Sequence, residues 1–311
     1  MKKVFVTWPL HAEALARLAE HAHVLMNPNE TILSRADLIR GAAGAFGLLT
    51  TLRDRIDAPV LEATGVKIVA NMAVGYDNID VQAAKKRRVF VTNTPGVLTE
   101  TTADLTFALI LALGRRVVAG DALVRAGAFK GWHPGLMLGR DIHGKTLGIV
   151  GLGRIGRAVA RRAHAFGMRV LYHGGRPVDI GEEGVALDRL LDESDVVTIH
   201  CPLTADTQNL IGARELARMH RHAVLINTAR GEIVDNEALI HALETRTIGG
   251  AALDVYPGSP ERADARLFEL DNVVLTPHVG SATVETRAAM ADRAVDNLLV
   301  ALKGKKPPDL V

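Results

Sequence analysis

The sequence has 311 residues, of which 48% are hydrophobic and 23% are charged, and its formal net charge is +2. This length suits about two domains with a large core, and the near-neutral charge gives no reason to expect nucleic acid as a partner. The single cysteine, Cys201, excludes an internal disulfide and fits a cytoplasmic protein, and the sequence predicts neither a membrane-spanning helix nor a metal site.

Residues 1–98 alternate short apolar runs with helical patterns. Strands are predicted at residues 3–7, 23–26, 46–50, 67–72 and 89–93. Helices are predicted at residues 10–22, 34–41, 60–64 and 81–88, the second with Ser34 as its N-cap. Near-continuous apolar strands separated by helices are typical of a parallel sheet covered on both faces. This part of the chain therefore predicts an α/β domain.

Residues 100–124 form a helical pattern that is almost entirely apolar. A helix that is hydrophobic on most sides must be buried on most sides, either between two domains or between two subunits. The apolar face from Leu105 to Val118 favours a homodimer. Residues 127–143, which follow, are typical of a loop.

A glycine-rich motif begins directly after a predicted strand at residues 147–150. Gly151, Gly153 and Gly156 form the pattern G-x-G-x-x-G, and a helical pattern follows at residues 157–166. The first glycine suits a tight turn, the second lets backbone approach a pyrophosphate, and the third lets helix and strand pack closely. The helix N-terminus offers N–H groups to phosphates. The motif predicts a dinucleotide site, and the alternative is a glycine-rich turn that binds nothing.

The glycine motif opens a second α/β pattern. Its strands are predicted at residues 147–150, 169–173, 196–201, 223–227, 250–255 and 273–276. Five or six parallel strands with a glycine turn after the first are typical of a doubly wound dinucleotide-binding domain. A last helix, at residues 284–302, is expected to pack back on the first domain.

The tip of the second strand in this pattern indicates which dinucleotide is bound. In an NAD site an acidic residue stands there and bonds the ribose 2′-hydroxyl. Here His173 is followed by two glycines and Arg176, and a guanidinium matches a phosphate in charge and geometry. We therefore expect NADP(H) to be preferred, with NAD(H) as the second choice. The alternative is a solvent-facing Arg176 beside a site whose acid, such as Asp179, comes from the loop.

Further motifs accompany the glycine turn along almost the whole chain. They are residues 74–80, 99–104, 227–231, Asp254 and residues 277–281. With these motifs the sequence resembles the D-isomer-specific 2-hydroxyacid dehydrogenases, which include glyoxylate/hydroxypyruvate reductases, 2-ketogluconate reductases and phosphoglycerate dehydrogenases. The resemblance implies a Rossmann dinucleotide-binding domain at residues 99–284, inserted into a flavodoxin-like substrate domain made of residues 1–98 and 285–311.

The resemblance also implies the reaction, which is reversible conversion of a 2-oxoacid to a D-2-hydroxyacid by hydride transfer with NAD(P)H. Arg230 would bind and polarise the substrate, a bidentate task for which lysine is a poor replacement. His278 would donate the proton in reduction and accept it in oxidation. The backbone N–H groups of Val74 and Gly75 would receive the carboxylate. Without the resemblance, Arg230 could be a surface ion-pair partner and His278 a satisfied loop histidine.

Contacts to the cofactor follow from the same resemblance. Asp254 and the region of Thr228 would hold the nicotinamide carboxamide. The residues expected to contact the cofactor are Gly151, Leu152, Gly153, Arg154, Ile155, Gly156, Arg176, Pro202, Thr207, Thr228, Asp254, His278 and Gly280.

One position departs from the family pattern. A glutamate normally stands before a proline shortly after the Asp254 strand and pairs with the histidine, whereas this sequence has Ser259. Because an adjacent carboxylate favours the imidazolium, His278 should titrate at lower pH and be held less firmly. We expect a slow reductase whose acid-dependent activity fades at lower pH than in its relatives. The alternatives are that Glu261 or Asp264 supplies the acid, or that the chain is a weakened or inactive dinucleotide-binding module.

Overall fold

The computed structural model describes the chain in three stretches, residues 1–175, 182–257 and 263–311. The chain divides into two compact units. Unit 1 consists of Met1–Leu98 and Ala282–Val311, and unit 2 is the continuous stretch Thr99–Ser281. Both units are α/β, as the sequence predicts. The domain boundary proposed from the sequence, after residue 284, falls a few residues beyond this division.

Unit 1 contains a five-stranded parallel sheet with the strand order β2-β1-β3-β4-β5. Its strands are β1 (Lys3–Val6), β2 (His23–Met26), β3 (Gly47–Thr50), β4 (Ile68–Asn71) and β5 (Phe90–Thr92). The helices between them are α1 (Ala12–Ala19), α2 (Arg35–Ala42), α3 (Ala58–Thr64) and α4 (Val81–Lys86). All five strands predicted for this part of the chain are therefore confirmed, β2 with the predicted bounds and the other four with shorter ends.

Side-chain caps fix where the helices of unit 1 begin. The Ser34 hydroxyl accepts a hydrogen bond from the backbone N–H of Asp37, which confirms Ser34 as the predicted N-cap of α2. Asp57 and Asp80 cap α3 and α4 in the same way. Each cap satisfies one of the backbone N–H groups that the first turn of a helix leaves unpaired.

The last helix of the chain, α11 (Val284–Leu302), completes the core of unit 1. Its buried side chains Ala294, Val295 and Leu298 pack with Leu49 of β3 and Ile68 of β4. This packing confirms that the helix returns to the first domain, as expected from the sequence. The core of unit 1 therefore depends on residues from both ends of the chain.

Unit 2 contains a sheet for which the described residues give seven strands in the order β12-β11-β10-β9-β6-β7-β8. The strands are β6 (Thr146–Val150), β7 (Arg169–His173), β8 (Glu183–Gly184), β9 (Val196–Ile199), β10 (Val224–Asn227), β11 (Gly250–Leu253) and β12 (Val273–Leu275). Six of these strands were predicted, and the short edge strand β8 was not.

The sheet of unit 2 is doubly wound around β6. The chain runs from β6 to β7 and β8 on one side and then returns to β9 on the other side of β6. The last residues of six strands are in register, and they are Val150, His173, Ile199, Asn227, Leu253 and Leu275. The loops that follow these residues therefore lie along one edge of the sheet, which is where ligands bind in this architecture.

Helices cover both faces of this sheet. The helices of unit 2 are α5 (Thr99–Gly114), α6 (Val117–Arg125), α7 (Arg154–Ala165), α8 (Leu187–Glu193), α9 (Ala213–Arg218) and α10 (Asn236–Glu244), of which α6 has no buried residue. Phe107 of α5 and Val159 of α7 pack against one face, and Leu190 of α8, Leu216 of α9 and Leu239 of α10 pack against the other. None of the helices in the described ranges is both long enough and apolar enough to cross a bilayer.

The prediction of one continuous buried helix at residues 100–124 is wrong. The helix ends after Gly114 and α6 starts afresh at Val117, because Arg116 adopts a left-handed conformation with φ of 54°. A non-glycine residue with this φ cannot continue a right-handed helix. α5 is buried as expected, whereas Val117 and Val118 of α6 are 56% and 54% exposed. Apolar composition alone therefore overestimated the burial of this segment.

Candidate active site

Of the three glycines after β6, the first and third occupy positions that a larger residue would disturb. Gly151 has a φ of 101°, and a Cβ there would lie 2.5 Å from the backbone nitrogen of Cys201. A Cβ on Gly156 would lie 2.4 Å from the Gly151 carbonyl oxygen. At Gly153, by contrast, a Cβ would meet no described atom within 4 Å. The first and third glycines therefore allow close packing, and the second leaves open space beside the loop.

The helix that follows the glycine turn presents unpaired backbone donors. α7 has Gly153 as its N-cap, with no side-chain cap, and the first helical bond is donated by Arg157 to the Gly153 carbonyl. The N–H groups of Arg154, Ile155 and Gly156 precede that bond, so they have no partner within the helix. With the positive end of the helix dipole, they form a position suited to an anion such as a phosphate.

The loop after β7 packs closely on the glycine turn. The Gly151 N–H donates to the His173 carbonyl at 2.8 Å, and the Leu152 N–H donates to the Gly174 carbonyl at 3.1 Å. A Cβ on Gly175, which has a φ of 98°, would lie 3.1 Å from the Leu152 backbone. Gly175 therefore lets the two loops touch, and Gly174, with a φ of 72°, adopts the left-handed conformation that favours glycine. Arg176 and Asp179, the residues weighed for reading the ribose, lie outside the described residues.

The tip of β9 carries two groups that do not ionise near neutral pH. His200 Nε2 lies 2.9 Å from Thr198 Oγ1, and burial lowers the pKa of His200 to about 3. Burial raises the pKa of the Cys201 thiol to about 11. A protonated thiol is a poor nucleophile, so Cys201 serves as a small residue against the glycine turn. Thr198 and His200 are two residues apart, which places them on the same side of a strand, and this spacing was not used in predicting the site from the sequence.

The predicted cofactor residues Pro202 and Thr207 form one tight turn after β9. The Thr207 hydroxyl donates to the Pro202 carbonyl at 2.7 Å and accepts from the Thr204 N–H at 2.8 Å. These bonds hold the turn at the carboxyl edge of the sheet. Their contact with a cofactor stays a prediction.

The turn after β10 is organised by the side chain of Asn227. Its Oδ1 accepts from the Ala229 N–H at 3.0 Å, and its Nδ2 donates to the Arg230 carbonyl at 2.8 Å. Gly231 packs so tightly that a Cβ there would lie 2.0 Å from the Tyr256 carbonyl carbon. Arg230 is half-buried, and its Nη1 donates to the Ala229 carbonyl at 2.8 Å. The backbone carrying Arg230 is therefore fixed on both sides.

Thr228 is buried and meets α5. Its hydroxyl lies 3.1 Å from the hydroxyl of Thr106, which itself donates to the Thr102 carbonyl at 2.9 Å. Because Thr106 has only one hydroxyl hydrogen, Thr228 must be the donor between the two. The oxygen of Thr228 then keeps acceptor capacity. Thr106 was not identified from the sequence, where it looked like one more residue of an apolar helix.

Asp254, directly after β11, binds the loop that follows β12. The carboxylate is fully buried. Its Oδ1 accepts from the Thr276 hydroxyl at 2.6 Å and from the Val279 N–H at 2.8 Å, and its Oδ2 accepts from the Gly280 N–H at 2.8 Å. Three charge-assisted bonds from residues 276–280 satisfy both oxygens. Contact of Asp254 with the nicotinamide stays a prediction, and its role in holding this loop was not foreseen.

His278 stands between the residues that Asp254 holds. It has a φ of 55°, in the left-handed region, and its N–H donates to the Thr276 carbonyl at 3.1 Å. A non-glycine residue in this conformation typically costs about 1–3 kcal/mol and persists only where the surroundings fix it. β12 and β10 flank β11, so His278, Asp254 and Arg230 follow three neighbouring strands at one sheet edge.

Val74 and Gly75 lie in a loop of unit 1 that follows β4. The Val74 carbonyl accepts from Asn93 Nδ2 and the Gly75 carbonyl accepts from Asn71 Nδ2, both at 2.8 Å. No described residue accepts a hydrogen bond from the N–H of Val74 or of Gly75. The loop therefore offers its backbone donors while its carbonyls are occupied.

Of the residues weighed as an acid near His278, only Asp264 falls within the described part of the chain. Its carboxylate accepts from Asn236 Nδ2 at 3.3 Å and from the Arg266 guanidinium at 2.7 Å. The hydrogen bonds from Arg266, with a smaller contribution from Asn236, hold the pKa of Asp264 well below its usual range. Ser259 and Glu261 lie outside the described residues.

A separate cavity lies at the opposite, amino edge of the sheet of unit 2. It has a volume of about 390 Å³ and is lined in part by Lys145, Asp195 and His222. Asp195 accepts from the Thr146 N–H at 2.9 Å and contacts His222 Nε2 at 2.7 Å. This cavity is remote from the loops that carry Arg230 and His278, which leave the carboxyl ends of the strands.

Comparison with known proteins identifies the family. The model of the D-isomer specific 2-hydroxyacid dehydrogenase NAD binding domain matches residues 107–280. A glyoxylate reductase from Korarchaeum cryptofilum is 49% identical over 316 residues, which cover 99% of this chain and 95% of the relative. The chain belongs to the D-isomer-specific 2-hydroxyacid dehydrogenases. It is therefore an oxidoreductase, and its unit 2 is a Rossmann domain for a nicotinamide dinucleotide.

Solved structures confirm the fold of this dehydrogenase. A protein from Thermus thermophilus has a TM-score of 0.94 and 48% identity, with 99% of each chain covered. An NADPH-dependent glyoxylate/hydroxypyruvate reductase from Sinorhizobium meliloti, in complex with NADP and malonate, has a TM-score of 0.90 and 34% identity. The match covers 100% of this dehydrogenase and 96% of that chain. The predicted fold of two parallel-sheet α/β domains is thus confirmed.

The residues of unit 2 fit the dinucleotide that this family uses. The space beside Gly153 would be filled by any side chain, and the unpaired donors at the start of α7 suit its phosphates. The neutral His200 and protonated Cys201 at the neighbouring strand tip add no charge that would oppose them. When bound, the nicotinamide supplies the hydride for reduction.

Proposed function

We propose that this dehydrogenase reduces a small 2-oxoacid, of the glyoxylate, hydroxypyruvate or 2-ketogluconate class, to the D-2-hydroxyacid. The observation that carries the proposal is the Asp254 carboxylate, which holds the His278 loop two strands from Arg230 at the edge that bears the glycine turn. The glyoxylate reductase activity named for a relative of 49% identity supports this substrate class.

Arg230 and His278 have separate roles in this reaction. The Arg230 guanidinium binds the substrate carboxylate and polarises the keto oxygen, where negative charge develops. The His278 imidazolium donates the proton that neutralises the developing alkoxide, and it takes the proton back in the reverse reaction. The N–H groups of Val74 and Gly75, which belong to unit 1, bind the substrate carboxylate.

The test of this function is the loss of reduced-nicotinamide absorbance with a small panel of 2-oxoacids. We expect steady turnover with at least one member and a fall in kcat/KM of about 10²–10³-fold in Arg230→Ala, as for other lost transition-state donors. Arg230→Lys should recover little, because lysine lacks the bidentate geometry. Arg218→Ala, which removes a surface pair with Asp192, is the matched control. Turnover that survives in Arg230→Ala would contradict the assignment.

The cofactor preference proposed is NADP(H) over NAD(H). The sequence has Arg176 rather than an acid at the tip of the second strand, and the Sinorhizobium relative is named NADPH-dependent. The measurement is the ratio of kcat/KM for NADPH and NADH in the wild type and in Arg176→Ala. Unchanged NADPH turnover in the variant would show that Arg176 does not clamp the 2′-phosphate.

A second candidate function rests on Ser259, which replaces the usual glutamate. On this view the chain binds the dinucleotide but has weakened or lost catalysis. Ser259→Glu should raise turnover near neutral pH, because a carboxylate beside His278 favours the imidazolium. An inactive wild type that still binds NADPH would favour this candidate, and a Ser259→Glu variant without effect would indicate that another group supplies the acid.

We infer that the dehydrogenase forms a homodimer through α6 and the segment after it. Large apolar side chains are exposed there, namely Val117, Val118, Val124, Phe129, Trp132 and Leu138. Exposed apolar patches of this kind mark protein interaction surfaces. Sedimentation at micromolar concentration should give the mass of two chains, and Val118→Asp should shift the distribution towards one chain.

A further inference from the structure

Three successive carbonyl groups of the Val74–Gly75 loop are bound by donors from unit 1. The Ala73 carbonyl accepts from the Thr94 N–H, the Val74 carbonyl from Asn93 Nδ2, and the Gly75 carbonyl from Asn71 Nδ2. Each of the three distances is 2.8 Å. The loop is therefore tethered one peptide after another, always through its acceptor.

Binding a carbonyl also fixes the N–H of the same peptide plane. A trans peptide is rigid, and its C=O and N–H point in opposite directions. The described chain contains no cis peptide bond. The bond to Ala73 therefore fixes the direction of the Val74 N–H, and the bond from Asn93 to Val74 fixes that of the Gly75 N–H.

We propose that Asn93 is a positioning residue that aims the Gly75 N–H at the substrate carboxylate, while Asn71 anchors the next peptide of the same loop. The proposal rests on the proposed function, in which the N–H groups of Val74 and Gly75 receive that carboxylate. A preset pair of donors binds an anion with less loss of entropy than a mobile loop would, because the peptide planes are already ordered. Asn93 would thus contribute to substrate affinity without contacting the substrate.

The sheet places the two asparagines side by side. Ala70 pairs with Thr92 in the register of β4 and β5, so Asn71 and Asn93 occupy the next position of that register, at the carboxyl edge. Asn71 is fully buried, and its Oδ1 accepts from the Thr50 hydroxyl at 3.2 Å. That bond leaves Nδ2 directed to the loop.

The chemistry of the amide suits this role. An amide NH₂ donates to a carbonyl without bringing a charge, so it does not alter the electrostatic attraction between the loop and an anion. The Asn93→Asp change keeps the shape but places a carboxylate oxygen against the Val74 carbonyl oxygen, and the new charge would also repel a bound carboxylate. Asn93→Asp is therefore a near-isosteric change with a sharp expected effect.

The experiment uses Asn93, because the full burial of Asn71 couples its replacement to folding. KM for glyoxylate and Kd for malonate, a carboxylate that cannot be reduced, are measured on the NADPH-loaded enzyme by kinetics and calorimetry. One neutral hydrogen bond sets the scale, so both constants should rise about five- to tenfold in Asn93→Ala and further in Asn93→Asp. The value of kcat and the Kd of NADPH should stay within about twofold, since the loop binds without doing chemistry.

A pH series adds a readout that general destabilisation would not give. Once protonated, the carboxyl of Asn93→Asp can donate to the Val74 carbonyl again. The ratio of its KM to the wild-type KM should therefore fall as the pH is lowered from about 8 to about 5, near the range where carboxyl groups titrate. The ratio for Asn93→Ala should stay constant over the same range.

Asn27→Ala is the matched control. Asn27 is also buried in unit 1, and its Nδ2 donates to the carbonyls of Thr7 and Thr31, which belong to other loops. This variant should lose thermal stability without a change in the Kd of malonate. If the wild type binds malonate and Asn93→Ala binds it equally well, the positioning role is wrong. If the wild type neither binds malonate nor reduces glyoxylate, the proposed substrate site itself is wrong.

Discussion

The two units hold their site loops with opposite chemistry. In unit 1, neutral side-chain amides of Asn71 and Asn93 donate to backbone carbonyls of the Val74 loop. In unit 2, the Asp254 carboxylate accepts from the backbone N–H groups of Val279 and Gly280 beside His278. The first arrangement uses the backbone carbonyls of its loop and leaves the N–H groups of Val74 and Gly75 available, whereas the second uses backbone N–H groups.

This difference matches what each loop is proposed to do. A loop that receives an anion needs its N–H groups, so its carbonyls are the groups that can be used for anchoring. A loop that presents a proton donor needs a fixed backbone, so its N–H groups are the groups that can be used for anchoring. The residue type used for anchoring therefore carries information about function, even though it need not touch the ligand.

The largest effect should come from removing the proton donor of unit 2. His278→Gln keeps a polar side chain but cannot donate a proton at neutral pH, so kcat should fall about 10²–10⁴-fold, the usual contribution of a general acid. The Kd of NADPH should change much less than kcat, because the glycine turn and the start of α7, which suit the phosphates, are untouched. Stopped-flow and steady-state kinetics measure the first quantity, and nicotinamide fluorescence measures the second. A His278→Gln variant with a lower affinity for the 2-oxoacid and an unchanged kcat would contradict this role, because that result is the one expected for the Val74 loop.

A smaller effect should follow from weakening the anchor of the same loop. Asp254→Asn places an NH₂ group against one of the backbone donors, so about 1–3 kcal/mol of unfolding free energy should be lost. Because a displaced catalytic group loses rate steeply, kcat should fall about 10- to 100-fold. Denaturant unfolding and steady-state kinetics measure the two quantities.

Asp195→Asn is the control for Asp254→Asn. Like Asp254, Asp195 accepts a backbone N–H in unit 2, but its carboxylate is only partly buried and lies at the amino edge of the sheet. Its replacement should lower stability and leave kcat within about twofold, because no catalytic group depends on it. An equal loss of kcat in both variants would mean that Asp254 acts only through general stability.

The smallest effect concerns pH. Burial alone would raise the pKa of Asp309 in unit 1, but hydrogen bonds from Arg293 and Asn297 hold it below its usual value. A depressed pKa stabilises the fold above the unfolded value of about 3.9, and this contribution is lost as the pH falls through the folded pKa. Asp309→Asn should therefore lower Tm by roughly 2–4 °C at neutral pH, with the difference shrinking in acid.

Asp54 provides the opposite case in the same unit. Burial raises the pKa of Asp54 despite bonds from Thr7 and Thr51, so its ionised form is penalised in the folded state. A raised pKa means that stability is lost as the pH rises through the folded value. The Tm of Asp54→Asn relative to that of the wild type should therefore be higher at neutral pH than in acid. Calorimetric scans that gave both variants the same pH trend would contradict these assignments.

The sequence predicted the parts of the molecule that depend on residues close together in the chain. Apolar runs located the strands, the glycine pattern located the turn after β6, and the last helix was found at Val284–Leu302. The break at Arg116 was missed because a left-handed residue leaves no mark on an apolar pattern. The anchors Asn71 and Asp254 were missed in that role because their partners lie on other strands. Such pairings depend on sheet register, which a single sequence does not reveal.

The return of α11 to unit 1 has a consequence for synthesis on the ribosome. Unit 2 is one unbroken stretch, whereas one face of β3 and β4 stays uncovered until the residues of α11 have left the exit tunnel. Chains emerge at about 5–20 residues per second, and domains usually mature in the order in which they are made. Here the order is inverted, since the segment translated second can finish folding first. The nascent amino-terminal part meanwhile carries an apolar surface that chaperones would recognise.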